Sequence, residues 1–416
     1  MSPLPIAMDA VPRVLKWAVG GLVGVQATVI STLVVADMVR RRRVPPPRLR
    51  HTPPTTVPVA DSSVTTYTSG GDLYAAMLSA VQEARTSVYF ETFIWKDDAW
   101  GQRLKDALVD AARRGVQVHV VFDGFANLVV PRSFLRFPDL PTLHVLRFPT
   151  VRPGVLTLNV RKTGRDHRKL LVVDGRTGFV GGFNIGSRYE STWRDTHLRV
   201  EGPSVWELEN AFADFWNDFR DDQPEIPDTG AAEWDARVRA ARNAPNRLLF
   251  PVRGLYLEAI DRARERVYIT QGYFIPDSEI LRSLVTTARR GVDVRVLMPE
   301  ASNHVVADWV ARSYWSELLR AGVRLFLYQG AMVHAKTATV DGRWTTVGSA
   351  NIDRLSLLGN YEVNLELYDA DLAALMEKIF ATDLDNTREL TLEEWERRGL
   401  LPRLAERVLR PLGPLV

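Results

Sequence analysis

The 416-residue chain has no cysteine. That excludes disulfides, zinc–thiolate sites and a cysteine nucleophile, and it leaves the redox compartment open. Charge of one sign is also lacking. There are 53 basic and 50 acidic residues, for a net +3, so overall charge does not mark a nucleic-acid binder. There is no His-Glu-x-x-His pair and no acidic metal cluster, so neither metal nor cofactor is expected. Histidine is scarce, with seven in all. Apolar residues make up 46%, ordinary for a globular chain, and the length suggests two or three domains.

What basic charge there is comes concentrated, in Arg40 to Arg43 and in the stretch from Arg161 to Lys169. Such clusters favour an anionic surface or substrate. Long uncharged runs are scarce too. The one of note, Trp17 to Ala36, is long enough to cross a bilayer as a helix. A cleaved secretory signal competes with an uncleaved anchor, and the length of the run and the arginines after it favour the anchor. Those arginines outweigh Arg13 and Lys16, which puts the body of the protein on the cytoplasmic side. The expected organisation is an anchor with a basic flank over 1–43 and a proline-rich linker over 44–66. A first domain over 67–220, a connection over 221–246 and a second domain over 247–416 follow.

Downstream, helical and strand-like stretches alternate. Asp72 reads as the cap of a helix, Ser87 to Ile94 as a buried strand, Gln102 to Arg114 as a helix and Val116 to Phe122 as a strand. The same order returns after residue 252, and Ala112-Arg-Arg-Gly-Val116 recurs as Ala288-Arg-Arg-Gly-Val292. Alternation of this kind means an α/β layered fold, here duplicated, with largely parallel strand pairing. At the end of the chain Leu400, Leu401, Leu404, Val408 and Leu412 run through a basic segment that reads as packing onto the body.

The duplication carries chemistry. Asp166-His-Arg-Lys-Leu-Leu-Val-Val-Asp174 runs on to Gly181-Gly-Phe-Asn184, and Val333-His-Ala-Lys-Thr-Ala-Thr-Val-Asp341 runs on to Gly348-Ser-Ala-Asn351. Both read His-x-Lys-x4-Asp-x6-Gly-[Gly/Ser]-x-Asn. A lone His-x-Lys is usually a solvated pair on a loop; two copies at identical spacing make a constellation. Asp174-Gly175 and Asp341-Gly342 read as hairpin turns, which lets His, Lys and Asn of each copy converge.

These residues resemble the phospholipase D superfamily, and its bacterial cardiolipin synthase branch in particular. Phe90 to Trp95, Trp193 to Gly202, Gly272 to Asp277 and Asn360 to Glu366 are similar to segments of those synthases, and the likeness covers residues 67 to 416. The resemblance implies two tandem α/β/α domains related by a pseudo-twofold axis and a phosphohistidine mechanism, with the first-half histidine as nucleophile. It also implies phosphatidylglycerol as substrate and a membrane setting. Hydrolysis of phospholipids is the alternative activity, and nucleic-acid cleavage is disfavoured by the anchor and the modest charge.

The residue chemistry points the same way. A phosphodiester needs its oxygens neutralised, a nucleophile, and a proton for the leaving alkoxide. His167 and His334 can supply nucleophile and acid–base. Lys169, Lys336, Asn184, Ser349 and Asn351 can bind the phosphate. Asp174 and Asp341, in the motif, are candidate catalytic groups or turn formers. Asp195 lies 28 residues after His167 and Glu362 lies 28 after His334, so each is expected to orient the histidine of its own half. Glu91, His197 and His304 are candidates to line the site, and His119 and His144 read as structural.

Overall fold

The computed structural model describes residues 10–41, 49–151, 154, 163–227, 230 and 234–415. Arg42 and Arg43 of the basic flank, the first residues of the expected linker, and Arg161 and Lys162 lie outside the described residues.

Two eight-stranded sheets dominate. In the first, the strands lie in the order Thr55–Val59, Ser62–Tyr67, His197–Glu201, Thr177–Gly181, Leu170–Val173, Ser87–Thr92, Gln117–Asp123 and Leu143–Phe148. The second runs Val238–Asn243, Glu362–Tyr368, Trp344–Gly348, Lys336–Val340, Arg266–Gln271, Asp293–Pro299, Arg324–Tyr328 and Thr387–Leu390. From His197–Glu201 to Leu143–Phe148 in the first sheet and from Glu362–Tyr368 to Arg324–Tyr328 in the second, the two orders correspond strand for strand, as a duplication requires. Each sheet has its motif strand near the centre.

Three sequence expectations are corrected here. Strand pairing is mixed: within the two large sheets, among the described residues, only the strands from Ser87–Thr92 to Leu143–Phe148, and their second-half counterparts, pair in parallel. The motif strands are joined by a tight turn, and a tight turn can join only antiparallel neighbours. Residues 55–66, expected in a linker, form with Tyr67 an edge hairpin of the first sheet. Val238–Asn243, expected in the connection, pairs with Glu362–Leu367 as an edge strand of the second.

Helices cover the sheets, and their starts follow ordinary capping rules. Asp98 accepts from Gly101 N, and Asp277 from Glu279 N and Ile280 N. The helix Gly70–Glu83 is capped by Ser69, whose Oγ accepts from Asp72 N; Asp72 is in the first turn, where its charge suits the positive helix end. Each half has its own apolar core. A third cluster straddles them: Leu170, Phe212 and Trp216 of the first half pack with Val347, Tyr361 and Val363 of the second. The halves therefore share a core along the seam that carries both motifs.

Among the described residues, no helix is long and apolar enough to cross a membrane. The N-terminal helix, Ala10–Arg41, packs Val29, Ile30 and Leu33 against a cluster that includes Val310 and Leu409. Its Gln26 Nε2 donates to Val408 O at 3.0 Å. The C-terminal helix, Leu400–Leu409, packs by Glu406 and Leu409 but leaves Leu400, Leu401 and Leu404 exposed, so only part of it fits the expected burial.

Candidate active site

Two short backbone exchanges build the site across the seam. Met332–Val333 pairs in parallel with Trp193–Arg194, and His334 N donates to Arg194 O at 2.7 Å. On the other side Asp166 bridges Tyr361, and His167 N donates to Tyr361 O at 3.0 Å. The next residue after Arg194 is Asp195, and after Tyr361 it is Glu362. Each backbone exchange thus delivers a carboxylate to the opposite half's histidine.

The pairing is crossed, which corrects the expectation. His334 Nδ1 lies 2.7 Å from Asp195 Oδ2. His167 Nδ1 lies 2.9 and 3.0 Å from the two oxygens of Glu362. Equal offsets identified equivalent carboxylates, but the twofold relation places each one beside the other motif. A neutral ring facing a carboxylate through Nδ1 puts its proton there and keeps the lone pair on Nε2.

Both rings are neutral by their surroundings. Burial, then the Lys336 ammonium, pushes His334 down to about 3. Burial, then Lys169 and Lys336, holds His167 well below the usual imidazole range. The lysines feel the same dry environment: burial lowers Lys169 to about 8 and Lys336 to about 7. Each Nζ donates to the carbonyl oxygen of its own motif histidine.

The two carboxylates differ. Burial raises Glu362 to about 8, with Lys169 and the Ser349 hydroxyl acting against it. Burial also works upward on Asp195, but His334, Lys336 and the donors of His334 and Thr196 outweigh it, and its carboxyl is held low. Ser349 and Gly182 follow from this difference. Ser349 Oγ donates to Glu362 Oε2 at 2.5 Å and accepts from Val363 N at 3.0 Å. That hydroxyl proton is committed to the carboxylate, which corrects its expected place among the phosphate binders. At the matching first-half position a Cβ on Gly182 would come within 2.2 Å of Asp195 Oδ1. The shorter acid needs glycine there.

Two motif residues are elsewhere. Asp174 and Asp341 sit at the far ends of the motif strands, roughly 13 Å along for four strand residues. Both adopt positive φ, 53° and 50°. Asp174 accepts from the backbone N–H groups of Arg85, Thr86 and Ser87, and Asp341 from those of Arg264, Glu265 and Arg266. They tie the hairpin turn to the start of the neighbouring strand, so the catalytic expectation for them is corrected to a structural one.

Glu91 is likewise corrected. Alternation along the chain sends Arg168 to the side opposite His167 and Lys169, and there its Nε and Nη2 hold Glu91 at 2.9 and 2.6 Å. His197 is buried against Gly181 and Phe183, and burial lowers it to about 3. Asn184 Oδ1 accepts from Ile94 N at 3.3 Å, while Asn351 Oδ1 is buried without a hydrogen-bond partner. His119 and His144 stack on each other at 4.8 Å inside the first half.

Sequence reasoning missed the aromatic walls and a brace. Phe93 stands edge-on to His167 at 4.6 Å, and Trp193 and Tyr273 lie 4.8 and 6.1 Å from the His334 ring. His304 is one step further out, 5.5 Å from Tyr273. Arg194 is almost fully buried and makes a bidentate pair with Asp383, at 2.8 Å on both arms. It thereby fixes the backbone that carries Asp195 and receives His334.

The description "Cardiolipin synthase, PLD-like domain" matches residues 77–216 and 256–384. The major cardiolipin synthase of Bacillus subtilis is 33% identical, over 86% of this chain and 76% of its own length. A cardiolipin synthase of Listeria monocytogenes is 30% identical, with the same coverage of both chains. Among solved structures, the phosphatidylserine synthase of Haemophilus influenzae superposes with a TM-score of 0.62 at 15% identity, covering 87% of this chain and 95% of that one, which shows the shared fold. Two interlocked His–Lys motifs and this similarity along most of the chain lead to one assignment: the chain belongs to the phospholipase D-like cardiolipin synthase family.

Proposed function

We propose that this enzyme transfers a phosphatidyl group from one phosphatidylglycerol to a second, forming cardiolipin and releasing glycerol. The observation that carries this is the crossed arrangement of two neutral histidines, each oriented by a carboxylate, around two buried lysines.

Chemically the site divides the reaction into two displacements. His167 Nε2 attacks phosphorus, and the bond from phosphorus to the headgroup glycerol oxygen breaks. His334, neutral in the free enzyme, takes up a proton from solvent as the anionic phosphodiester enters and the ionised Asp195 balances the charge, and it passes that proton to the leaving glycerol oxygen. Glycerol leaves, and a hydroxyl of the second phosphatidylglycerol gives its proton to His334 and attacks the phosphohistidine. His167 is released unchanged. Lys169 and Lys336 hold the nonbridging oxygens, with Asn184 and Asn351 beside them. Glu362 fixes the tautomer of His167 and faces the charge that grows on its ring. Asp195 is the acid held low, which suits the histidine that must carry a proton and supports His334 as the acid.

We also propose that the enzyme works on the cytoplasmic surface of the cell membrane, with the N-terminal segment as its tether. Reporter fusions at the C-terminus test the sidedness: an exported, active reporter would overturn it. The reaction is tested with purified protein and phosphatidylglycerol labelled in the headgroup. Cardiolipin and free glycerol should appear in equal amounts. Phosphatidic acid as the main product would instead make the enzyme a hydrolase.

A further inference from the structure

The C-terminal helix, Leu400–Leu409, is inside out for a helix resting on a protein body. Its one carboxylate, Glu406, is buried and is held by Arg398 at 2.8 and 3.2 Å. Three of its four leucines face the other way: Leu400, Leu401 and Leu404 are 81%, 80% and 57% exposed. The helix is not loose, because Leu409 is fully buried and Val408 O accepts the Gln26 side chain.

The N-terminal helix beside it behaves alike. Val29, Ile30 and Leu33 pack inward, while Val25, Val35, Met38 and Val39 are exposed. Two contacting helices therefore both turn apolar side chains to solvent, and exposed apolar faces of that kind mark a docking surface.

Charge and position identify what docks. Between Arg397 and Arg410 there are five arginines and one carboxylate, and that carboxylate, Glu406, points inward onto Arg398. Arg407 is exposed one turn beyond Leu404, on the same face. The outer face thus offers leucines beside the exposed Arg407, which matches apolar chains beneath an anionic headgroup layer. The apolar cluster under both helices also reaches Tyr273, whose ring is 6.1 Å from that of His334. That cluster thus links the inner sides of both helices to a wall of the catalytic centre.

We infer that the outer faces of the C-terminal and N-terminal helices dock on an anionic bilayer, with Leu400, Leu401 and Leu404 in the acyl boundary and the exposed Arg407 at the phosphates. This rests on the reading of the substrate as a membrane lipid. Because the full chain has no cysteine, Leu401→Cys, Leu404→Cys and, as a control in the first half, Asp106→Cys can each carry one environment-sensitive fluorophore. With vesicles of mixed phosphatidylglycerol and phosphatidylcholine, labels at 401 and 404 should shift to the blue and the label at 106 should not. Phosphatidylcholine alone should give little shift, and adding Arg407→Glu should weaken vesicle binding by at least about threefold.

The inference is overturned if the protein does not float with anionic vesicles, or floats while the label at 404 stays in water. It is equally overturned if that label is already shielded without lipid, since a second copy or another protein would then cover the face. A blue shift without cardiolipin formation would sink the proposed reaction and leave the docking surface standing.

Discussion

His167 and His334 occupy equivalent places, and the residue-scale question is which carboxylate serves which ring. The distances answer it: Glu362 serves His167, and Asp195 serves His334. His167→Ala and His334→Ala should each reduce turnover by at least about 10³-fold, measured on purified folded protein. Asp195→Asn keeps size but removes charge and permits the wrong tautomer, and should cost on the order of 10²- to 10⁴-fold. Groups that act as a unit are non-additive. Asp195→Asn should therefore add little to His334→Ala, whereas Glu362→Gln should add little to His167→Ala. If Asp195→Asn proves silent on top of His167→Ala instead, the crossed pairing is wrong. The sequence could not make this distinction, because a twofold axis maps each offset of 28 onto its mate. Equivalence was legible in the chain; the partner across the seam was not.

At the scale of elements, the motif hairpins explain why a conserved-looking spacing can contain a residue with no catalytic contact. The turn needs a left-handed residue followed by glycine, and aspartate tolerates that conformation better than most side chains. Asp174 and Asp341 then bind three backbone N–H groups each at the start of the next strand. Burial works to raise both acids, but those donors prevail and hold them below the ordinary range. Asp174→Ala or Asp341→Ala should lower stability in urea by about 1–3 kcal/mol. Specific activity per folded molecule should stay within about twofold. An intact unfolding curve with lost turnover would return these residues to the active site. The strand–helix alternation was readable from periodicity, and so was the turn at Asp-Gly. Edge strands were not: Thr55–Val59 is rich in proline and threonine and looks like linker, because an edge needs little burial and tolerates a proline.

For the whole molecule, the seam between the halves confines two buried lysines. Lys169 and Lys336 are almost fully buried near one another, and burial lowers them to about 8 and about 7 from 10.5. In the unfolded chain both keep their protons up to the ordinary lysine value. Between pH 7 and 10.5 the unfolded state thus binds more protons, so this pair contributes stability that rises with pH. Below pH 7 the folded protein bears two confined ammonium groups, and an anion that enters the site offsets them. Inorganic phosphate or tungstate at ten times its Kd should therefore stabilise the protein by about 1.4 kcal/mol, a rise in Tm on the order of 1–3 °C. The gain should be largest near pH 6.5 and should shrink by pH 9, where both lysines have lost their protons. For the same reason kcat/KM should fall above pH 7, first with Lys336 and then with Lys169, and the fall in kcat should lie at higher pH because bound phosphate retains the protons. Lys336→Met should abolish most of the anion-induced rise in Tm while raising the Tm of the free protein at pH 7, since it removes the confined charge and keeps the volume. An anion effect equally large at pH 9, or unchanged in Lys336→Met, would mean that the anion binds outside the seam.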